Sequence, residues 1–418
     1  MKAYQIYGGS PLCGTVAIHG AKNSVLPILA ATLITGGEYV LRNCPQISDV
    51  DTALDILRHL GCSAERSGQT LTIDTTNAKR ADIPCSLMTK MRAAVIFLGP
   101  LLARFGCAQA CMPGGCALGA RPIDIHLAGL RRMDVHIDEA EGDIFCMVSK
   151  LKACTIALPF PSVGATENLL LAAIACDGEV AICNAAREPE IGDLIGFLRA
   201  CGAEISGDGT SVIRVQGGKA LHTAQYSIMP DRMEAASYLA AAAATKGDLT
   251  LQGVCPAHLT AVSDVLVRSG CEIDCQNCEM RLRCEHLLAA GPIHTAPYDG
   301  FPTDAQAPIM AAMTVAAGVS VFEETIFEDR FRHVPALQDL GAKIHASKRY
   351  AVVEGVPALH GACMEATDLR GGAAMVIGAL CARGESRVRN VAHIERGYAD
   401  FVETLRQCGA EIAQIDEA

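Results

Sequence analysis

Six stretches decide the fold: LITGGEYVL (33–41), ARFGCAQAC (103–111), ACDGEVAIC (175–183), ATKGDLTLQ (244–252), AAGVSVFE (316–323) and ARGESRVRN (382–390). Each reads as the end of a helix, a glycine and a short alternating strand. Glycine after a helix supplies the left-handed C-cap. The marker glycines Gly37, Gly106, Gly178, Gly247, Gly318 and Gly384 are separated by 69, 72, 69, 71 and 66 residues. A second pattern, a helix ending in glycine before a strand, recurs as HLGCSAE, ACGAEIS, RSGCEID, DLGAKIH and QCGAEIA. Its glycines are Gly61, Gly202, Gly270, Gly341 and Gly409, with Met133 at the missing sixth place. Two independent markers sharing one period identify an internal repeat.

Each unit therefore reads helix, strand, helix, strand and usually a hairpin strand such as TLTID or YAVVEG. The first helices (NSVLPILAATLI, ENLLLAAIA, EAASYLAAAAA, APIMAAMTVAA) are apolar almost all round and belong inside. The second helices, such as VDTALDILRHL and YADFVETLRQC, are amphipathic and belong outside. The expected fold class is α/β: six repeats of about 70 residues, three per lobe, with inner helices surrounded by sheets. Unit six ends at Ile415 without a hairpin strand, and GTVAIHG (14–20) is expected to fill the gap. The expected lobes are residues 22–230 and residues 1–21 with 231–418.

Composition agrees with two globular lobes. A chain of 418 residues is too long for one core. With 50% hydrophobic and 19% charged residues it is not disordered. A net charge of −11 argues against a nucleic-acid partner. No apolar run reaches the roughly 18 residues of a membrane span. The N-terminal MKAYQIYGGSPLCG lacks an apolar signal core, so no secretion and a cytoplasmic location are expected. The twenty cysteines are then expected to be reduced and mostly small core residues. The dense group Cys271, Cys275, Cys278 and Cys284 contains a single CxxC, which reads as thiols on a hairpin rather than as a zinc site.

Counting back 14 or 15 residues from the first markers reaches Lys22, Arg92, Gly164, Arg232, Asp304 and Arg370, at the starts of inner helices. Counting forward 12 reaches Asp49, Leu118, Glu190, Leu259, Arg330 and Arg396, at or near outer-helix starts. Unit two has three extra residues here, which moves its position to Arg121. Helix N-termini prefer Asp or Glu. Lysine and arginine there cost stability unless an anion is bound, and with the backbone N–H groups they make a phosphate or carboxylate site. The extra residues lie in CMPGGCALGARP (111–122), where Cys116 on a glycine-rich turn near Arg121 is a candidate reactive thiol and the loop a candidate lid. Asp304 among cations is a candidate base or a plain N-cap. Asp368 is a cap or orients Arg370, Glu188 and Glu190 are a capping pair or line a cleft, and His126 reads as structural.

GAKNSVLPILAA (20–31), PGGCALGARPIDIHLAGL (113–130), PSVGATEN (161–168), NAAREPEI (184–191), FPTDAQAP (301–308), FEDRFRHVP (327–335) and ATDLRGGAA (366–374) together resemble the UDP-N-acetylglucosamine 1-carboxyvinyltransferase family of bacterial peptidoglycan synthesis. The resemblance runs from about residue 3 to about residue 412, and the PGGC-x-x-GARP loop is its most specific part. It implies two inside-out α/β barrels with the active site between them. It implies transfer of the enolpyruvyl group of phosphoenolpyruvate to the 3-hydroxyl of UDP-N-acetylglucosamine, by addition and elimination through a tetrahedral intermediate. Lys22, Arg121 and Arg396 would hold the phosphate, with Arg330 and Arg370 facing the anionic groups and Asn23 the intermediate. Cys116 would be the general acid and the site of fosfomycin attack, and Asp304 the base. Arg92, Arg121, Pro122, Ile123, Asp124, Ile125, Ser162, Val163, Gly164, Asp304 and Ile326 would contact the nucleotide sugar. No cofactor and no metal are implied; the partners are the two small-molecule substrates, and the chain is expected to be monomeric. Where certain homologues carry a lysine this chain has Phe160, so that cation to the diphosphate is missing. The related shikimate-pathway enzyme shares the repeats but not the cysteine loop. A silent nucleotide-sugar sensor is disfavoured by the joint presence of Lys22, Cys116, Asp304, Arg330 and Arg396.

Overall fold

The computed structural model describes residues 2–111, 123–140 and 142–417, apart from the side chain of Arg92. The described residues form two compact units. One lies between Gly20 and Met229; the other takes the chain up to His19 and from Pro230 onward.

In each unit the apolar helices are inside. In the first they are Lys22–Ala31, the 3-10 turn Arg92–Phe97 running into Leu98–Phe105, and Val163–Ala173. In the second they are Arg232–Ala244, Thr303–Met313 and Leu369–Cys381, which pack on one another. Arg232–Ala244 shows why. All thirteen of its residues are buried, and alanine combines the best helix propensity with a side chain small enough for close helix packing. Asp231 caps it, accepting the N–H groups of Met233 at 2.8 Å and Glu234 at 3.0 Å. Such a cap contributes about 1 kcal/mol. Burial of Met233 and Leu239 contributes roughly 1.5–3 kcal/mol apiece.

The strand after each marker glycine is central in a four-stranded sheet, and the described residues hold six such sheets. Glu179–Cys183, for example, pairs antiparallel with the hairpin strand Val212–Gln216 and parallel with Thr155–Ala157. Two parallel edge strands come from far along the chain. Gln225–Ser227 joins Glu38–Arg42 of unit one, and Cys13–Ala17 joins Asp248–Gln252 of unit four. Unit six is completed by Lys2–Tyr7, antiparallel to both Glu385–Arg389 and Glu411–Asp416. This corrects the expectation for GTVAIHG. A strand inside a sheet is covered more fully than one at its edge: Ala3, Tyr4 and Ile6 are all buried, whereas within Cys13–Ala17 only Val16 is.

Two helix ends also differ from the sequence pattern. At the sixth place of the second marker the left-handed residue is Asp134 (φ 71°), not Met133. In unit four Lys246 (φ 56°) takes the left-handed turn, and Gly247 is needed because a Cβ there would lie 2.1 Å from the carbonyl oxygen of Leu12.

The cysteines are not all reduced. Cys85 and Cys111 form a disulfide with Cα atoms 5.2 Å apart, an ordinary span for the bond. Their sulfurs and Asp143 are the one group of three metal-type ligands that lies together among the described residues, and the bond occupies both sulfurs. Cys271 and Cys284 are buried just before and just after the hairpin strands Glu272–Gln276 and Glu279–Arg283, while Cys275 and Cys278 are exposed towards its turn. No helix among the described residues is long and apolar enough to cross a membrane.

Candidate active site

All six repeat-equivalent positions fall on the first or second residue of an inner helix. The outer positions are less uniform. Asp49 and Glu190 are the second residues of Ser48–His59 and Pro189–Ala200. Arg330 lies in the turn before Val334–Asp339. Arg396 follows the one-turn helix Ala392–Glu395, at a helix C-terminus where a cation is favoured. Cys116, Arg121 and Pro122, like the side chain of Arg92, lie outside the described residues.

In the first unit, Lys22 opens a helix with no side-chain cap and no acidic residue in its first turn. Its ammonium lies 2.6 Å from the carboxylate of Asp49, the equivalent position on the outer helix. Asn23 beside it is exposed. Ser162 caps Val163–Ala173, its Oγ accepting the N–H of Ala165 at 3.3 Å. Ile123 is buried and Asp124 opens Asp124–Arg132, with Ile125 half-buried behind it. Gly164 packs on the His126 ring, which a Cβ would approach to 3.2 Å. That ring is held by Asn168. Asn168 Oδ1 accepts the N–H of Gly99 at 2.6 Å, so its Nδ2 is the donor to Val95 and to His126 Nδ1 at 3.1 Å. Burial pushes the His126 pKa down to about 4, against the pull of Asp124, so the imidazole is neutral with its proton on Nε2. Phe160 is exposed.

Glu167 was not singled out in the sequence. It is buried one turn into an apolar helix, and burial, then Glu190 and Glu188, raise its pKa well above the ordinary carboxylate range. The signal was visible as one acid inside VGATENLLLAA.

In the second unit, Asp304 sits between two buried guanidiniums. Its Oδ1 accepts from Arg330 Nη2 at 3.0 Å and its Oδ2 from Arg370 Nε at 3.3 Å. Arg330 also donates to the carbonyl of Thr303 at 3.0 Å. Arg370 donates from Nη1 to the Tyr398 hydroxyl at 3.0 Å, and that hydroxyl lies 2.7 Å from Ser237 Oγ. Burial works against the charge on Arg370, but Tyr398, Asp304 and Asp231 hold its pKa above the ordinary arginine value. Asp368 is a cap: its Oδ1 accepts the backbone N–H of Arg370 at 3.1 Å and of Gly371 at 3.0 Å. Ile326 is fixed through buried Glu324, which accepts its N–H at 2.8 Å and the Thr303 hydroxyl at 2.9 Å. Beside these residues a cavity of about 200 Å3 is lined by Arg232, His258, Thr260, Tyr298 and Pro302. Tyr398 and Glu324, like Glu167, were missed in the sequence, where nothing names their partners.

Three of these cations are thus balanced from within the chain. Lys22 has Asp49, and Arg330 and Arg370 share Asp304. An arriving anion competes for the same ammonium and guanidinium groups, which bind phosphate and carboxylate alike.

The family model of EPSP synthase (3-phosphoshikimate 1-carboxyvinyltransferase) matches residues 6–405. UDP-N-acetylglucosamine 1-carboxyvinyltransferase 2 of Caldanaerobacter subterraneus is 44% identical over 416 residues, covering 99% of this chain and 100% of that one. UDP-N-acetylglucosamine 1-carboxyvinyltransferase of Nitratidesulfovibrio vulgaris (strain Hildenborough) is 46% identical over 414 residues, covering 99% of each. The chain belongs to the UDP-N-acetylglucosamine 1-carboxyvinyltransferases of the EPSP synthase family. Among solved structures, the enolpyruvyl transferase NikO from Streptomyces tendae superposes with a TM-score of 0.89 at 26% identity, covering 100% of this chain and 99% of that one. EPSP synthase from Acinetobacter baumannii has a TM-score of 0.76 at 19% identity with both chains fully covered, a likeness of fold alone. The two-lobed α/β repeat architecture is therefore the enolpyruvyl transferase fold.

Proposed function

We propose that this 1-carboxyvinyltransferase moves the enolpyruvyl group of phosphoenolpyruvate onto the 3-hydroxyl of UDP-N-acetylglucosamine and releases phosphate, the first committed step of peptidoglycan precursor synthesis. The observation that carries the chemistry is the Asp304 carboxylate at a helix start, flanked by Arg330 and Arg370. Arg330 and Arg370 meet the anionic groups of phosphoenolpyruvate, and Lys22, Arg121 and Arg396 hold its phosphate. Fixed cations lower the barrier by stabilising charge where it develops.

The addition step needs two proton transfers. Cys116 gives a proton to the methylene carbon of phosphoenolpyruvate, which leaves the neighbouring carbon electron-poor. Asp304 takes the proton of the sugar 3-hydroxyl as its oxygen bonds to that carbon. The tetrahedral intermediate, in contact with Asn23, then loses a methyl proton and expels phosphate, restoring the double bond. The nucleotide sugar is held by Arg92, Arg121, Pro122, Ile123, Asp124, Ile125, Ser162, Val163, Gly164, Asp304 and Ile326. Phe160 offers no cation to the diphosphate. The enzyme acts in the cytoplasm as a monomer, without metal or cofactor.

Phosphate release measured with both substrates, and with each alone, tests this reading. Release that requires both supports it; no release dependent on both overturns it. Fosfomycin is expected to add mass at Cys116 alone, and labelling spread over many cysteines counts against a special thiol there.

A further inference from the structure

The first turn of Lys22–Ala31 has no cap of its own, yet it carries Lys22 and Asn23. Its backbone is fixed from outside by a closed ring of bonds. Asp193, one turn into Pro189–Ala200, accepts the hydroxyl of buried Ser24 through Oδ2. The same oxygen accepts the N–H of Met229 at 3.1 Å, and the carbonyl of Met229 accepts the N–H of Ala21 at 2.7 Å. Oδ1 accepts the Tyr226 hydroxyl at 2.8 Å. Space for that hydroxyl exists because residue 196 is glycine: a Cβ there would lie 2.6 Å from it. The Tyr226 ring stands edge-on against Phe197, with centroids 5.7 Å apart. Asp193 thus collects three donors from two segments, one carrying Lys22 and one ending at Met229.

We infer that Asp193 is a positioning residue for the phosphoenolpyruvate phosphate: through Ser24 and Met229 it sets where the first turn of the Lys22 helix stands. This rests on the reading of Lys22 as a phosphate holder. The two arms of the carboxylate have separable duties. The Oδ2 arm reaches Ser24 and Met229 and bears on Lys22. The Oδ1 arm reaches Tyr226 and bears on packing against Phe197. No residue of either arm is among the proposed substrate contacts, so the consequence of losing one is a displaced ammonium rather than a lost reacting group. Displacement of a substrate-holding group by a fraction of an ångström to 1 Å costs up to about a hundredfold.

Steady-state kinetics and thermal midpoints of four variants test the inference. Asp193→Asn and Ser24→Ala are expected to raise KM for phosphoenolpyruvate about tenfold, with KM for UDP-N-acetylglucosamine changed less than about twofold. Tyr226→Phe is expected to lower the thermal midpoint and leave KM for phosphoenolpyruvate near the parent value. Lys22→Ala is the control. If Asp193→Asn and Ser24→Ala lower only the thermal midpoint while Lys22→Ala raises KM for phosphoenolpyruvate, the positioning role is overturned and the Lys22 reading stands. If Lys22→Ala also leaves KM unchanged, the Lys22 reading fails first and the inference with it. Should Asp193→Asn not fold, Ser24→Ala decides, because it removes one hydroxyl and keeps the carboxylate's other partners.

Discussion

Asp304 shares its carboxylate between Arg330 and Arg370, both almost fully buried. Removing it deletes the proposed base and also leaves two buried guanidiniums without their common anion, which is among the costliest changes a protein interior can suffer. Asp304→Ala is therefore expected to lose about 10²–10⁴ in turnover and to melt earlier, while calorimetry still detects UDP-N-acetylglucosamine. Asp304→Asn keeps an acceptor and is expected to lose the same turnover with a smaller fall in melting temperature. A variant that retains turnover takes Asp304 out of the base role. At this scale the sequence was informative about position and silent about partnership. Asp49 and Lys22 were both picked out by the repeat, but nothing in a period near 70 says that the two touch. Tyr398 and Glu324 carry no periodic signal; their meaning depends on which polar groups burial brings to them.

Helix ends show what a repeat tolerates. Five units end the outer helix with glycine, and unit two uses Asp134 in the same left-handed conformation. Aspartate bears that conformation better than residues without a polar side chain, because it can bond its own backbone. Asp134→Ala is expected to cost about 1 kcal/mol in chemical denaturation, and Asp134→Gly is expected to cost nothing or to stabilise. Equal loss in both variants would assign the effect to the exposed Lys152–Asp134 ion pair instead. The Cys85–Cys111 bond acts on elements too, tying the short helix Cys85–Met88 to the strand Cys107–Cys111. Alkylation of the unfolded chain before and after reduction is expected to differ by two groups, on the peptides holding those two residues. No difference would leave all twenty cysteines reduced, as composition alone suggested.

Each unit of the whole molecule hides a neutral histidine. Burial lowers the pKa of His126 in the first to about 4, and of His333 in the second to about 4, where Arg330 adds to the burial and Asp368 opposes it. Both folded values lie below the ordinary 6.5, so the unfolded chain binds more protons between those limits. The associated stability is present above pH 6.5 and is lost as pH falls towards 4. A shift of that size corresponds to roughly 3 kcal/mol per histidine. Denaturation midpoints are expected to fall steeply over that window, and His126→Gln, which can still accept from Asn168, to flatten the fall. An unchanged slope would mean that His126 titrates normally in the folded protein. The fold itself was readable at this scale because one glycine marker recurs six times and a second five times, alongside the all-apolar helices. What was not readable was strand exchange. KAYQIY and GTVAIHG both alternate, and only a partner some 400 residues away decides which of them enters the sheet of unit six.

That exchange gives synthesis an order. The strand Lys2–Tyr7 leaves the ribosome long before Glu411–Asp416, yet it lies against it. The unit between Gly20 and Met229 has every strand of its sheets once Ser227 has emerged, and can close while translation continues. The other unit must hold Lys2–Tyr7 in reserve until Glu411–Asp416 has been made. The wait is thermodynamically cheap, since closing a loop costs only the logarithm of its length. The exchange also makes two segments more than 400 residues apart neighbours in one sheet, with Lys2 opposite Asp416.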